Sequence, residues 1–230
     1  MAIVHSFSFG KQNKRVIFLL AGWQNKLWMF RVFAALLALN GFYCITYAYD
    51  DDVFSSDTEK TVRNILHVRD GILSKIVLLR KEGYSDFSIF GTSLGSVIAL
   101  LVANVSPDIS KIILNTTGYD FAETVWSWNS GNQYFKKELQ SKHFTLEKLQ
   151  VVWAPINPGQ NIDAIHGGKF LVYLSKKDEI IPYRFGVQLV DRLKENGNEC
   201  TIITNKTLGH ILAGIYNLCH FPVYLRFLNT

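Results

Sequence analysis

Ser93 stands in Gly91-Thr92-Ser93-Leu94-Gly95, after a short apolar run at 87–90 and before an unbroken helix-forming run at 94–105. A serine on a tight strand-to-helix turn is held clear of the sheet, where its hydroxyl can attack a carbonyl. Such a turn demands strained backbone angles at the serine. It also brings strand and helix so close that positions 91 and 95 need residues without a side chain. The helix starting at Leu94 offers a free backbone N–H and the positive end of its dipole to an oxyanion. The five-letter pattern is common by chance. Its strand–turn–helix context carries the reading, against the alternative of a Gly/Ser turn in an ordinary βα unit.

A hydroxyl is a poor nucleophile at neutral pH unless a base lies within hydrogen-bond reach and a carboxylate orients that base. In doubly wound sheets the loops at the carboxyl ends of the strands converge on one crevice. Asp178 follows a strand expected at 169–174, in Ser175-Lys-Lys-Asp-Glu-Ile-Ile-Pro. His210 follows the last expected strand, in Thr207-Leu-Gly-His. Both therefore fall on the sheet edge that carries Ser93. Rival readings make Asp178 a solvated loop residue or the cap of a helix opening at Pro182. Glu179 and Asp120 are alternative acids, and His210 has the alternative of a surface loop. His5, His67, His143 and His166 lack a strand-end position, and His220 reads as a helix-face residue.

The elements that must position these groups alternate in type. Residues 2–9 read as an edge strand, and 16–21 as a buried central strand. Residues 24–40 read as a helix stopped by Gly41, and 43–49 as a further strand. Asp50–Asp52 are acidic and form a solvated loop. Asp57 caps a long helix to about residue 82, whose stripe runs through Val62, Ile65, Leu66, Ile72, Leu73, Ile76 and Leu79. Strands follow at 87–90, 111–115, 169–174 and 200–204. Helices are expected from Pro182 to about 196 and over about 211–220. This alternation predicts an α/β fold with a mostly parallel central sheet flanked by helices. Residues 119–165 interrupt the rhythm with Tyr119, Phe121, Trp126, Trp128, Tyr134, Phe135, Phe144 and Trp153. The expected division is therefore a core of residues 1–118 and 166–230 with a small aromatic-rich cap insert at 119–165. Its aromatics either pack the insert down or wall an apolar substrate pocket, for which Phe121, Trp126 and Trp128 are the candidates.

Composition narrows the remaining classes. The 230 residues are 48% hydrophobic and 19% charged, which suits a substantial core and excludes a disordered chain. The net charge of +5 is spread over scattered lysines, and no basic stripe interleaves with aromatics. Nucleic acid is therefore not an expected partner, while a weak preference for anionic substrates or membrane surfaces stays open. Three cysteines, Cys44, Cys200 and Cys219, sit in apolar runs; buried reduced thiols and a cytoplasmic location are expected. No ligand spacing for a metal occurs, so no metal and no cofactor are expected. Lys11, Lys14 and Arg15 before the apolar run imitate a signal peptide, but removal there would take away a central strand. The apolar stretch at 27–39 contains Arg31 and is too short to span a bilayer, so no integral membrane association is expected.

Taken together, G-T-S-L-G at 91–95, S-K-K-D-E-I-I-P at 175–182 and the late G-H at 209–210 make the chain resemble the α/β-hydrolase fold superfamily from about residue 10 onward. The resemblance implies Ser93 as nucleophile, His210 as base and Asp178 as the orienting acid. It also implies an oxyanion hole from the backbone N–H groups of Leu94 and Trp23, although many relatives have His-Gly where this chain has Ala21-Gly22. The expected activity is cofactor-independent cleavage of a small-molecule carboxylic ester or thioester through an acyl-serine. The alternatives are acyl transfer by the same three residues and a non-catalytic ligand-binding protein on the same fold.

Overall fold

The structure, a computed structural model, describes residues 4–24, 27–128 and 133–230. Ile3 and Lys26 lie outside the described residues, as do the side chains of Leu27 and Tyr134. Among the described residues, seven strands form one sheet: β1 (Val4–Phe9), β2 (Arg15–Leu20), β3 (Phe42–Tyr49), β4 (Asp86–Thr92), β5 (Ile109–Asn115), β6 (Lys169–Ser175) and β7 (Glu199–Asn205). Their order is β1-β3-β2-β4-β5-β6-β7. Only β1 runs antiparallel, against β3; the other pairs are parallel.

The continuous apolar run of β2 is explained by its central place. Val16, Phe18 and Leu20 pack into one core, and Ile17, Leu19 and Ala21 into another on the opposite face. A strand buried on both faces has no polar side to show, so the alternation of a half-exposed strand is lost. Helices α1 (Leu27–Leu39) and α9 (Phe221–Leu228) cover the second face through Phe30, Phe33, Tyr224 and Leu228. Helices α2 (Thr58–Lys81), α3 (Leu94–Val105) and α7 (Tyr183–Glu195) cover the first. Asp57 caps α2 by accepting from the Lys60 N–H at 2.9 Å. Pro182 takes the position before α7 rather than its first turn. The end of the chain departs more from expectation. One helix was expected, and two form: α8 (His210–Leu218) and α9, bent by 65° with Pro222 in the first turn of α9.

Between β5 and β6 lie three short helices, α4 (Phe121–Ser127), α5 (Gln133–Ser141) and α6 (Leu146–Trp153), followed by two 3₁₀ turns. Trp153 is fully buried there; its Nε1–H donates to the Thr58 carbonyl at the start of α2, and its ring stacks on Phe121 at 4.9 Å. The acidic loop after β3 is more than solvated. Asp51–Val53 form a 3₁₀ turn that sends Val53 and Phe54 into the core, where Phe54 stacks on Phe135 at 4.5 Å. Cys44 is buried and Cys200 half-buried, whereas Cys219, the residue that ends α8, is exposed. Burial pushes the Cys44 thiol up to about 12 and Cys200 to about 11, so both stay protonated at neutral pH.

Candidate active site

Ser93 joins β4 to α3 with φ 53° and ψ −117°, outside the regions that residues with a side chain ordinarily occupy. Two glycines make this possible. A Cβ on Gly91 would stand 2.3 Å from the Gly95 carbonyl oxygen, and one on Gly95 2.3 Å from that of Leu20. The elbow is pinned on the sheet side, where the Ser93 N–H donates to the Asn115 carbonyl at 2.9 Å. Ser96 Oγ ties the first turn of α3 back to the Gly91 carbonyl at 2.8 Å.

His210 is the first residue of α8 and is buried. Its Nε2 lies 3.1 Å from Ser93 Oγ, and its Nδ1 lies 2.8 and 3.0 Å from the two oxygens of Asp178. A carboxylate can only accept, so Nδ1 carries the hydrogen and Nε2 is left free to accept the Ser93 proton. Asp178 is itself held: its Oδ1 accepts from the Ile180 and Ile181 N–H groups at 3.0 and 2.7 Å. Asp178 is therefore neither a solvated loop residue nor the cap of α7; it braces its own loop while it holds the imidazole. The Ser175 hydroxyl donates to the Leu208 carbonyl and ties together the two loops that carry Asp178 and His210.

Neither alternative acid takes the Asp178 position. Glu179 accepts from the backbone N–H of His210 at 2.9 Å and so fixes the start of α8. That contact needs Gly209, since a Cβ there would lie 2.5 Å from Glu179 Oε2. Asp120 caps α4 through the Glu123 N–H and accepts from Gln150. His5, His67, His143 and His166 are exposed and do not line the cavity at Ser93; His5 pairs with Asp50 and His166 meets the Asn196 carbonyl.

Ser93 opens onto a cavity of about 560 Å³. Phe121 and Trp128 line it, two of the three aromatics expected there, and Trp126 does not; Trp23 and Leu94, the expected oxyanion donors, line it too. Phe121, Thr124, Val125 and Trp128 form an i, i+3, i+4, i+7 stripe on and just after α4, and position 126 falls on the opposite side of the turn. Trp126 instead carries the Lys136 ammonium 5.2 Å from its ring centroid. Trp23 is fixed by its indole N–H, which donates to the Asp51 carbonyl at 2.9 Å. Three of the four non-glycine residues with positive φ among the described residues, Gln24, Ser93 and Thr116, line this one cavity. Backbone strain concentrated around a pocket is a mark of a preorganised site.

Sequence reasoning missed half of the wall. Met29 and Phe30 of α1 and Ile211, Ile215 and Leu218 of α8 line the cavity too. The signal was the excess of apolar residues on α1 beyond the width of a buried stripe. It also missed a buried polar link beneath the site. Asn217 Nδ2 donates to Asn115 Oδ1 at 2.7 Å, and Asn115 Nδ2 donates to the Gly214 carbonyl at 2.9 Å.

No curated protein sequence matches the chain significantly. Among solved structures, the acylaminoacyl peptidase of Pyrococcus horikoshii superposes with a TM-score of 0.69 at 15% identity, over 99% of this chain and 41% of that one. An esterase of Pyrococcus furiosus gives 0.68 at 10% identity over 99% of this chain and 87% of that one. A cold-adapted esterase from an Arctic intertidal metagenomic library gives 0.66 at 12%, over 99% and 92%. At such identities the likeness is one of fold, and this chain spans about two fifths of the length of the peptidase. The sequence model of the prolyl oligopeptidase family matches residues 76–220, well over half of the chain and the whole stretch from the last turns of α2 through the elbow to the end of α8. The chain belongs to the prolyl oligopeptidase family and has the α/β-hydrolase fold.

Proposed function

We propose that the protein cleaves carboxylic esters or thioesters of apolar acyl groups, with Ser93, His210 and Asp178 as its catalytic residues. The reading rests on one observation: the hydrogen-bonded line from Asp178 through His210 to Ser93 ends at the wall of a cavity lined mainly by aromatic and aliphatic side chains. Ser93 Oγ attacks the carbonyl carbon as His210 Nε2 takes its proton. The resulting imidazolium is stabilised by Asp178 and hands the proton to the leaving alcohol or thiol. Water then adds to the acyl-serine by the same route in reverse, releasing the acid and restoring the hydroxyl. The oxyanion is assigned to the backbone N–H groups of Leu94, at the start of α3, and of Trp23, beyond β2; both residues line the cavity. Acyl transfer to an alcohol other than water would run through the same intermediate.

The family match favours a second reading, the cleavage of amide bonds in short acylated peptides. A panel of p-nitrophenyl esters of graded acyl length, run beside acyl-aminoacyl p-nitroanilides with Ser93→Ala as control, separates the two. The ester reading expects turnover of esters that rises with acyl length and vanishes in the variant. Faster anilide turnover at equal concentration would give the peptidase reading. Wild type no faster than Ser93→Ala on both sets would leave a ligand-binding protein.

A further inference from the structure

Two helices that wall the cavity also turn apolar side chains outward. On α1, Trp28, Val32, Leu36 and Leu39 are exposed, with Trp28 62% and Leu39 83% accessible. Their spacing traces one stripe along the outer side of the helix, about 16 Å long at an α-helical rise. On α8, Ile211, Leu212, Ile215 and Tyr216 are exposed, with Ile211 64% accessible. Trp28, Ile211 and Ile215 belong at once to this outer face and to the cavity lining, so the apolar surface runs continuously from outside into the pocket that ends at Ser93. A contiguous apolar patch rimming a pocket mouth is far from the scattered single residues a protein surface tolerates.

The charge around the patch selects its occupant. Neither α1 nor α8 contains an Asp or Glu. Arg31 is exposed on α1, Lys206 is exposed in the turn leading to α8, and the chain carries a net charge of +5. No single helix among the described residues is long and apolar enough to cross a membrane. Although α8 and α9 taken together are apolar enough to match a bent span by length and composition, Ala213, Tyr224 and Leu228 are fully buried in the fold, which leaves only one side of α8 free. We propose that the α1–α8 face docks on an anionic lipid surface and lies in its interface, with Trp28 and Tyr216 at headgroup depth. A second copy of the chain on the same face would close the cavity mouth, whereas a lipid surface leaves it facing a reservoir of apolar acyl groups. The inference deepens the ester reading, because it brings the pocket to lipid-borne substrate, but the docking itself needs no chemistry.

The test therefore uses Ser93→Ala protein. It is sedimented with phosphatidylglycerol vesicles and with phosphatidylcholine vesicles, and a Leu36→Glu/Leu39→Glu pair and Leu212→Glu are then added; none of these three residues lines the cavity. The proposal expects binding to the anionic vesicles, weaker in high salt and on phosphatidylcholine, and at least about tenfold weaker in the glutamate variants. Their turnover of soluble p-nitrophenyl acetate, measured with Ser93 restored, should match the parent, which shows that they fold. Protein that stays in the supernatant with both vesicles, glutamate variants that bind like the parent, or a dimer that these variants split would overturn it. Vesicle binding without any ester turnover would leave the docking surface standing and remove the ester reading alone.

Discussion

The side chains of Asn115 and Asn217 meet at 2.7 Å beneath the serine. Asn115 ends β5; its carbonyl receives the Ser93 N–H, and its amide holds the Gly214 carbonyl and the Asn217 side chain of α8. One buried residue thus ties the elbow that carries Ser93 to the helix that carries His210. Tyr224 OH extends the link by donating to the Asn217 carbonyl from α9 at 2.7 Å.

Cutting that link should loosen the register of the two reacting side chains. Asn217→Leu leaves the Asn115 oxygen buried without its donor, at a cost of about 1–3 kcal/mol in urea unfolding. Activity should fall beyond what the lost stability explains, with kcat reduced more than KM is raised, since α8 displaces His210 from Ser93 without emptying the cavity. An unchanged kcat in a destabilised variant would show that Asn217 serves the fold alone.

Ser93, His210 and Asp178 should behave as a unit. Ser93→Ala and His210→Gln are each expected to lower kcat/KM for an ester by about a thousandfold or more, and the double variant should be no worse than the poorer single one. Asp178→Asn should retain the fold and lose activity, because an amide at this position favours the wrong imidazole tautomer. Multiplicative losses in the double variant would contradict the shared proton path.

Glycine substitutions should separate the elbow from ordinary helix. Gly91→Ala and Gly95→Ala each place a methyl within 2.3 Å of a backbone oxygen that cannot withdraw, so melting temperature and soluble yield should drop sharply. Gly71→Ala, on an open face of α2 with nothing within 4 Å of the added methyl, should raise stability by about 0.5–1 kcal/mol. Thermal unfolding of the three variants checks both directions.

Stability should also fall on the alkaline side. Burial pushes Cys44 from 9.0 up to about 12; Tyr47 and Tyr173 rise from 10.0 to about 12, and Tyr49 and Tyr224 are likewise pushed well above 10.0. Raised values mean that the folded chain keeps protons the unfolded chain gives up. The contribution is therefore complete below about pH 9 and is lost as pH climbs toward 12. The urea midpoint should be flat from pH 7 to 8.5 and decline from about pH 9 upward, less steeply in Tyr49→Phe. A midpoint constant to pH 11 would speak against this account.

Much of the protein was legible as a linear string. The continuous apolar run of β2, the stripe of α2 and the glycines around Ser93 are local demands of backbone and solvent, and each is met within a few residues of where it is written. Strand ends could be read as well, which placed Asp178 and His210 on the edge that carries Ser93. Local pattern could not choose among three acids, because Asp120, Asp178 and Glu179 all follow strands; only the folded loops give Asp178 the imidazole, Glu179 the start of α8 and Asp120 the cap of α4. Nor could it turn Trp126 away from the cavity, since that depends on how α4 rolls against its neighbours. The contribution of α1 and α8 to the wall, and the Asn115–Asn217 link, join positions about a hundred or more residues apart. Such contacts carry no periodicity of their own; they exist because a parallel sheet stacks distant strand ends side by side and leaves the side chains beyond them to meet.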